Sequence, residues 1–142
     1  MSNVSRRSID LQTAFVAIDA VMAKANELGV TVSVAVTDPD GGIKASSRMD
    51  GASSLTAEIA LNKAYTGASL GMATHEVYEF VKGDPPLLHG FSQYPRIIIF
   101  GGGYPIKEGA EIVGGIGVSG AHYSQDMACA IAGLEAIGAV KA

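Results

Sequence analysis

Tryptophan is absent from this 142-residue chain, cysteine occurs once, aromatic residues make up 6% and charged residues only 17%. Each scarcity removes a class of protein. A single Cys129 cannot form an internal disulfide and has no thiolate neighbour at metal-binding spacing. The three histidines, His75, His89 and His122, are too widely separated to make a His-x-x-x-His or Cys/His set, so no structural metal site is expected. The net charge is −4 and the few Lys and Arg residues form no stripe, which argues against nucleic acid as a partner. No apolar run reaches membrane-spanning length, so no membrane partner is expected. The early Arg6-Arg7 pair leads into a helical pattern rather than the apolar stretch of a secretory signal. A cytoplasmic protein is the expectation.

What the chain does have is 48% hydrophobic residues and 18 glycines. Its core must be built from Val, Ile, Leu and Ala, with close backbone approaches. Little charge to cover the surface of a small protein points to a homo-oligomer. The length suits one domain over residues 1–142.

Leu11, Phe15, Ile18 and Met22 recur at helical spacing, with Ser8 as N-cap and Gly29 as the stop. Val30, Val32, Val34 and Val36 alternate with Thr31, Ser33, Ala35 and Thr37, which predicts a strand. Asp38–Gly42 is a turn, and Ile43–Arg48 the returning strand of a hairpin. A second helix runs from Ser53 or Ser54 to about Leu70, with a stripe of small residues including Ala60, Ala64 and Ala68. Thr74 caps a short helix that buries Val77, Phe80 and Val81, and Gly83-Asp84-Pro85-Pro86 ends it. Pro85–Tyr94 reads as an irregular loop, Arg96–Phe100 as a short strand, Gly101–Pro105 as a loop, and Glu111–Val118 as another strand. A last helix spans Ser124 to about Val140, with Met127, Ala130, Ile131 and Leu134 inward. The predicted class is α/β of the α+β kind: one antiparallel sheet with helices packed on it.

Gly115-Ile116-Gly117-Val118-Ser119-Gly120 spells G-x-G-x-x-G, but no further parallel strand follows its helix. It is better read as a strand with a small face for close packing than as a dinucleotide loop. Gly101-Gly102-Gly103, before Tyr104-Pro105, lacks the Lys-Ser or Lys-Thr of a phosphate loop, yet its free amides can cradle an anion. Arg48 ends a strand, where it can take a carboxylate in bidentate fashion, and Asp50 can pair with it or cap the next helix. Lys63 lies beside the small-residue stripe and must be paired or face a cavity. Arg48, Asp50, Glu58 and Lys63 can equally form an ion-paired scaffold. A ligand that needs a single imidazole donor would find its candidates in His89 and His122.

Arg48-Met49-Asp50-Gly51-Ala52, Lys63-Ala64, Gly102-Gly103-Tyr104-Pro105-Ile106 and Gly117-Val118-Ser119-Gly120 followed by Asp126 occur in an order that resembles the GlcG/HbpS family, the heme-binding or PduO C-terminal-like domains. The resemblance runs from about Leu11 to Ile137. It implies a profilin-like domain, an antiparallel sheet flanked by helices and assembled into oligomers. It also implies heme or corrinoid as cofactor, or an accessory role in small-molecule catabolism.

Two functional readings follow. The first is an oligomeric binding protein for a tetrapyrrole or a small carboxylate. Arg48, Asp50 and Lys63, the amides of Gly101, Gly102 and Gly103, and the side chains of Tyr104, Pro105 and His122 would form its site. The second is a small catabolic isomerase, tautomerase or hydrolase acting on a dicarboxylate or ring-cleavage product, with Lys63, His122 or Tyr104 moving protons. Both require the basic side chains to converge on the triglycine bend.

Overall fold

The computed structural model describes residues 1–139 of the 142. Its elements are α1 (Leu11–Leu28), β1 (Ser33–Thr37), β2 (Ile43–Arg48), α2 (Ser54–Leu70), α3 (Thr74–Val81), α4 (Pro85–Phe91), β3 (Gly103–Glu108), β4 (Glu111–Ser119) and α5 (Tyr123–Ala136). The four strands form one antiparallel sheet in the order β2-β1-β4-β3, an α+β arrangement.

The sheet is covered on both faces, which is why every residue of β1 is buried. Alternation along β1 and β4 sorts the side chains. Val34 stands opposite Val118 and Val36 opposite Ile116. These four join Ile18, Val21, Ala130 and Leu134 of α1 and α5 in the main apolar core. Ser33, Ala35 and Thr37 stand opposite Ser119, Gly117 and Gly115 on the other face. That face meets α2, as the 3.0 Å hydrogen bond between the Ser33 and Thr56 hydroxyls shows.

The glycines of β4 are a packing device, as the sequence pattern suggests. A Cβ on Gly117 would lie 2.0 Å from the Ala60 carbonyl oxygen, and one on Gly115 2.2 Å from that of Ala64. The backbone of α2 therefore rests directly on the strand, and the stripe Ala60, Ala64 and Ala68 is buried against it.

Several local expectations need correction. Asp10, not Ser8, caps α1, accepting from the Thr13 amide at 2.7 Å. Thr74 is the first residue of α3 rather than its cap, and its hydroxyl accepts the Gly103 amide at 3.0 Å. Phe80 is 62% exposed, because Val77 and Val81 already fill the inward face of so short a helix. Pro85–Phe91 is helical: Asp84 caps it, and prolines suit the first turn, where no amide partner is required. Arg96–Phe100 pairs with no strand. It is tied instead to α2, where the Thr66 hydroxyl donates to the Arg96 carbonyl at 2.9 Å and accepts the Ile98 amide at 3.0 Å. The edge strand begins at Gly103 and includes Tyr104 and Pro105, which were expected in a loop. Pro105 fits there because an edge strand tolerates a residue with no amide hydrogen. The last helix ends at Ala136, and the expected terminus at Val140 lies outside the described residues.

Candidate functional site

Lys63 leaves α2 on the glycine face of the sheet and is completely buried. Its Nζ donates to the Val118 carbonyl at 2.8 Å and to Asp126 Oδ2 at 3.0 Å. Asp126, in the first turn of α5, accepts the Ala121 amide on its other oxygen at 3.1 Å. Lys63 thus joins α2, β4 and α5 across the end of the sheet. It reaches that point through the triglycine segment. Gly102 adopts φ +124°, and a Cβ there would sit 2.7 Å from Nζ and 2.6 Å from the Val118 carbonyl oxygen.

Burial weakens both charges of this pair. Loss of solvent lowers the Lys63 pKa from its ordinary value, and attraction to Asp126 only partly opposes that shift. Desolvation likewise raises the Asp126 carboxyl, against the opposing effects of Lys63 and the Ala121 amide. The remaining face of Nζ looks at Phe100, whose ring centroid is 5.0 Å away.

Above Phe100 lies an open groove of about 540 Å³. α3 supplies His75, Tyr78 and Glu79, the segment before β3 supplies Phe100 and Gly101, and the first turn of α5 supplies Tyr123. The size is typical of a small-molecule site. Its one acidic lining residue among the described residues, Glu79, is salt-bridged to Lys82. His75 meets the Tyr104 ring edge-on at 5.9 Å, and its Nδ1 is buried without a partner. The Tyr104 hydroxyl is also buried and unpartnered, and burial pushes its pKa up to about 12.

A larger hollow of about 720 Å³ lies between residues 7–13 and the β3–β4 turn. Arg7 there is already paired with Glu108 and Glu111, and of the family-motif residues among those lining it, Ile106 offers only an apolar side chain.

The expected convergence on the triglycine bend holds for Lys63 and fails for Arg48 within one chain. Arg48 aligns with Ser33 and Ser33 with Ser119, so it stands on the far edge of the sheet. Three strand spacings, roughly 14 Å, separate it from the bend. Arg48 and Asp50 are both exposed. Among the described residues Arg48, Asp50 and Glu58 form no ion pair, so the expected four-residue scaffold is replaced by the single pair Lys63–Asp126. Gly101 borders the groove, whereas Gly102 and Gly103 are buried beneath it, and the Gly103 amide is already given to Thr74. Tyr104 and Pro105 line a separate hollow of about 330 Å³ beside Met72 and Leu134.

His89 is exposed on α4. His122 caps α5, its Nδ1 accepting the Ser124 amide at 3.1 Å, and its ring lies 4.1 Å from that of Tyr123. Neither lines the groove. The imidazole that does is His75, which sequence reasoning passed over. The available signal was its place one residue into a short helix whose opposite face, Val77 and Val81, is buried.

A family model described as haem degrading protein HbpS-like matches residues 9–135. The chain belongs to this HbpS-like family, the GlcG/HbpS group its motifs resemble. An uncharacterized 15.0 kDa protein from the dhaT-dhaS intergenic region of Citrobacter freundii is 38% identical over 130 residues, covering 90% of this chain and 91% of its own. Among solved structures, the Klebsiella pneumoniae protein ORFY superposes with a TM-score of 0.86 at 35% identity, covering 99% of both chains. A PduOC:heme complex superposes with a TM-score of 0.85 at 29% identity, covering 91% of this chain and 94% of that one.

Proposed function

We propose that this protein binds a planar, largely apolar small molecule, a tetrapyrrole such as heme, in the groove between α3 and the first turn of α5. The observation that carries the reading is the wall itself: Tyr78, Phe100 and Tyr123 surround one imidazole, His75, which lines the groove. Aromatic faces suit a flat macrocycle, and one histidine suffices for axial ligation. The heme complex of a structural relative supports the same class of ligand. His75 would hold the iron and the aromatic rings would clasp the macrocycle; the bound iron would supply the redox chemistry. Among the described residues no lysine or arginine lines the groove, so a free dicarboxylate fits it less well than a ring system does. The proton-moving roles considered for Lys63, His122 and Tyr104 are disfavoured for the same kind of reason. Lys63 is fully buried and bonded, His122 holds a helix end, and the Tyr104 phenol resists ionisation. A cytoplasmic homo-oligomer is part of this reading. The oligomer is supported by Leu11, Phe15 and Val16, all exposed on α1.

Titration with hemin, followed in the Soret region, tests the proposal. Wild type and His89→Ala should show the same saturable shift, and His75→Ala should bind at least about tenfold more weakly with a changed spectrum. Identical curves for wild type and His75→Ala would remove the assignment of His75. No saturable change in wild type would remove heme.

A further inference from the structure

The groove and the buried ammonium are separated by one aromatic ring. Lys63 has three N–H donors, two of which go to Val118 and Asp126. Phe100 stands against Nζ with its ring centroid at 5.0 Å, yet it also lines the groove and is 45% exposed. A cation over an aromatic face is held there by the ring quadrupole, and a carboxylate is a stronger partner for the same position. Among the described residues no Lys or Arg lines the groove itself. We infer that Phe100 is a movable cover over an anion subsite, and that a ligand carboxylate entering the groove displaces the ring to take the third N–H of Lys63.

This inference rests on the groove being the ligand site and specifies the ligand further: a flat molecule carrying a carboxylate at one edge. The backbone beneath is built to allow the approach. Gly101 and Gly102 follow Phe100 directly, and Gly102 lies so close to Nζ that any side chain there would fill the space an anion needs. Glu79, the one acid on the lining, is engaged by Lys82, which reduces its repulsion of an incoming anion.

The test uses two flat probes of matched shape, benzoate and benzamide, with binding read by NMR titration. Phe100→Ala uncovers Nζ, and this variant should bind benzoate about tenfold tighter than benzamide. Wild type should show a smaller preference of the same sign, because the ring must first move. Reductive methylation with formaldehyde and a borohydride reductant should leave Lys63 unmodified in wild type and modify it in Phe100→Ala. The preference should vanish when Lys63→Met and Asp126→Asn are added together to Phe100→Ala, a pairing that leaves no buried charge unpaired. Equal affinity for the two probes in Phe100→Ala, or a preference that survives the added pair, overturns the subsite while leaving the groove intact. If neither probe binds and hemin also fails to bind wild type, the groove reading falls with it.

Discussion

The two faces of the sheet solve the same packing problem in opposite ways. On the α1/α5 face, Val34, Val36, Ile116 and Val118 interdigitate with Val21, Ala130 and Leu134, a contact of side chain on side chain. On the α2 face almost nothing projects: Ser33, Ala35, Gly115 and Gly117 let helix backbone lie on strand backbone. The first kind of contact can relax around a change in volume, whereas the second cannot, because its nearest atoms are carbonyl oxygens of a helix. The close approach also sets the site, since it puts Lys63 near enough to the end of β4 to bond Val118 and Asp126.

The sharpest way to break the comparison is a matched pair of substitutions at neighbouring positions on β4. Gly117→Val drives a branched side chain into the Ala60 carbonyl, and the chain should fail to accumulate as folded protein. Val118→Ala, one residue on, deletes two methyl groups from the adaptable face. It should lower stability by about 1–3 kcal/mol while keeping the circular dichroism spectrum and a cooperative denaturant transition. Similar losses for both would show that the faces do not differ.

The pair Lys63–Asp126 gives the next largest effect. Lys63→Met alone leaves a carboxylate in the interior with one amide partner, and should destabilise by about 3–5 kcal/mol in urea unfolding. Lys63→Met with Asp126→Asn removes both charges and should recover more than half of that loss. A double variant as unstable as the single one would mean that Lys63 matters for the shape of its chain against Gly102 rather than for its charge.

Those residues also show how far the sequence carries. The alternation of Val with Ser, Ala and Thr in β1, the amphipathic α1 and the small-residue stripe of α2 are periodic over enough residues to be read directly, and they define the α+β class. The glycine spacing of β4 pointed correctly to packing. Register and chain reversal were less legible. Ile97, Ile98 and Ile99 look like a strand, but among the described residues they join no sheet; the Ile98 amide is taken instead by the side chain of Thr66, a tertiary contact without a sequence signature. Lys63 was recognisable as a lysine in an apolar stripe that needed a partner. That the partner is Asp126, 63 residues away, depends on the sheet order. Arg48 carries as strong a motif signal as Lys63, yet sits on the opposite edge, because order β2-β1-β4-β3 separates a central hairpin from the bend that follows α4. The groove was illegible for a related reason: His75, Phe100 and Tyr123 come from three segments with no shared motif.

A smaller effect sharpens the comparison on the α2 face. Thr37 is fully buried there and its hydroxyl has no partner among the described residues. A buried hydroxyl left unsatisfied opposes folding, and valine has nearly the same shape. Thr37→Val should raise stability by about 1 kcal/mol, read as a higher urea midpoint at unchanged slope. A loss of stability would mean that the hydroxyl is satisfied in solution, for example by water.

The smallest effect lies outside both faces, where the chain preceding α1 is pinned to the β3–β4 hairpin. Arg7 pairs with Glu108 and Glu111 on the protein surface. Its hydrogen bond and charge hold the Glu108 carboxyl below the ordinary 4.5. The sign of the linkage is fixed by that direction. The unfolded chain takes up the proton first as pH falls, so the stabilisation is fully present above about pH 4.5 and is lost as pH drops through the lower folded-state value. Glu108→Gln should therefore differ slightly from wild type at neutral pH, and the two should converge in acid and in high salt, which screens an exposed pair. A gap that widens toward low pH would show that Glu108 gains nothing from Arg7, and that the segment before α1 is held by the Ile9 amide on the Val113 carbonyl instead.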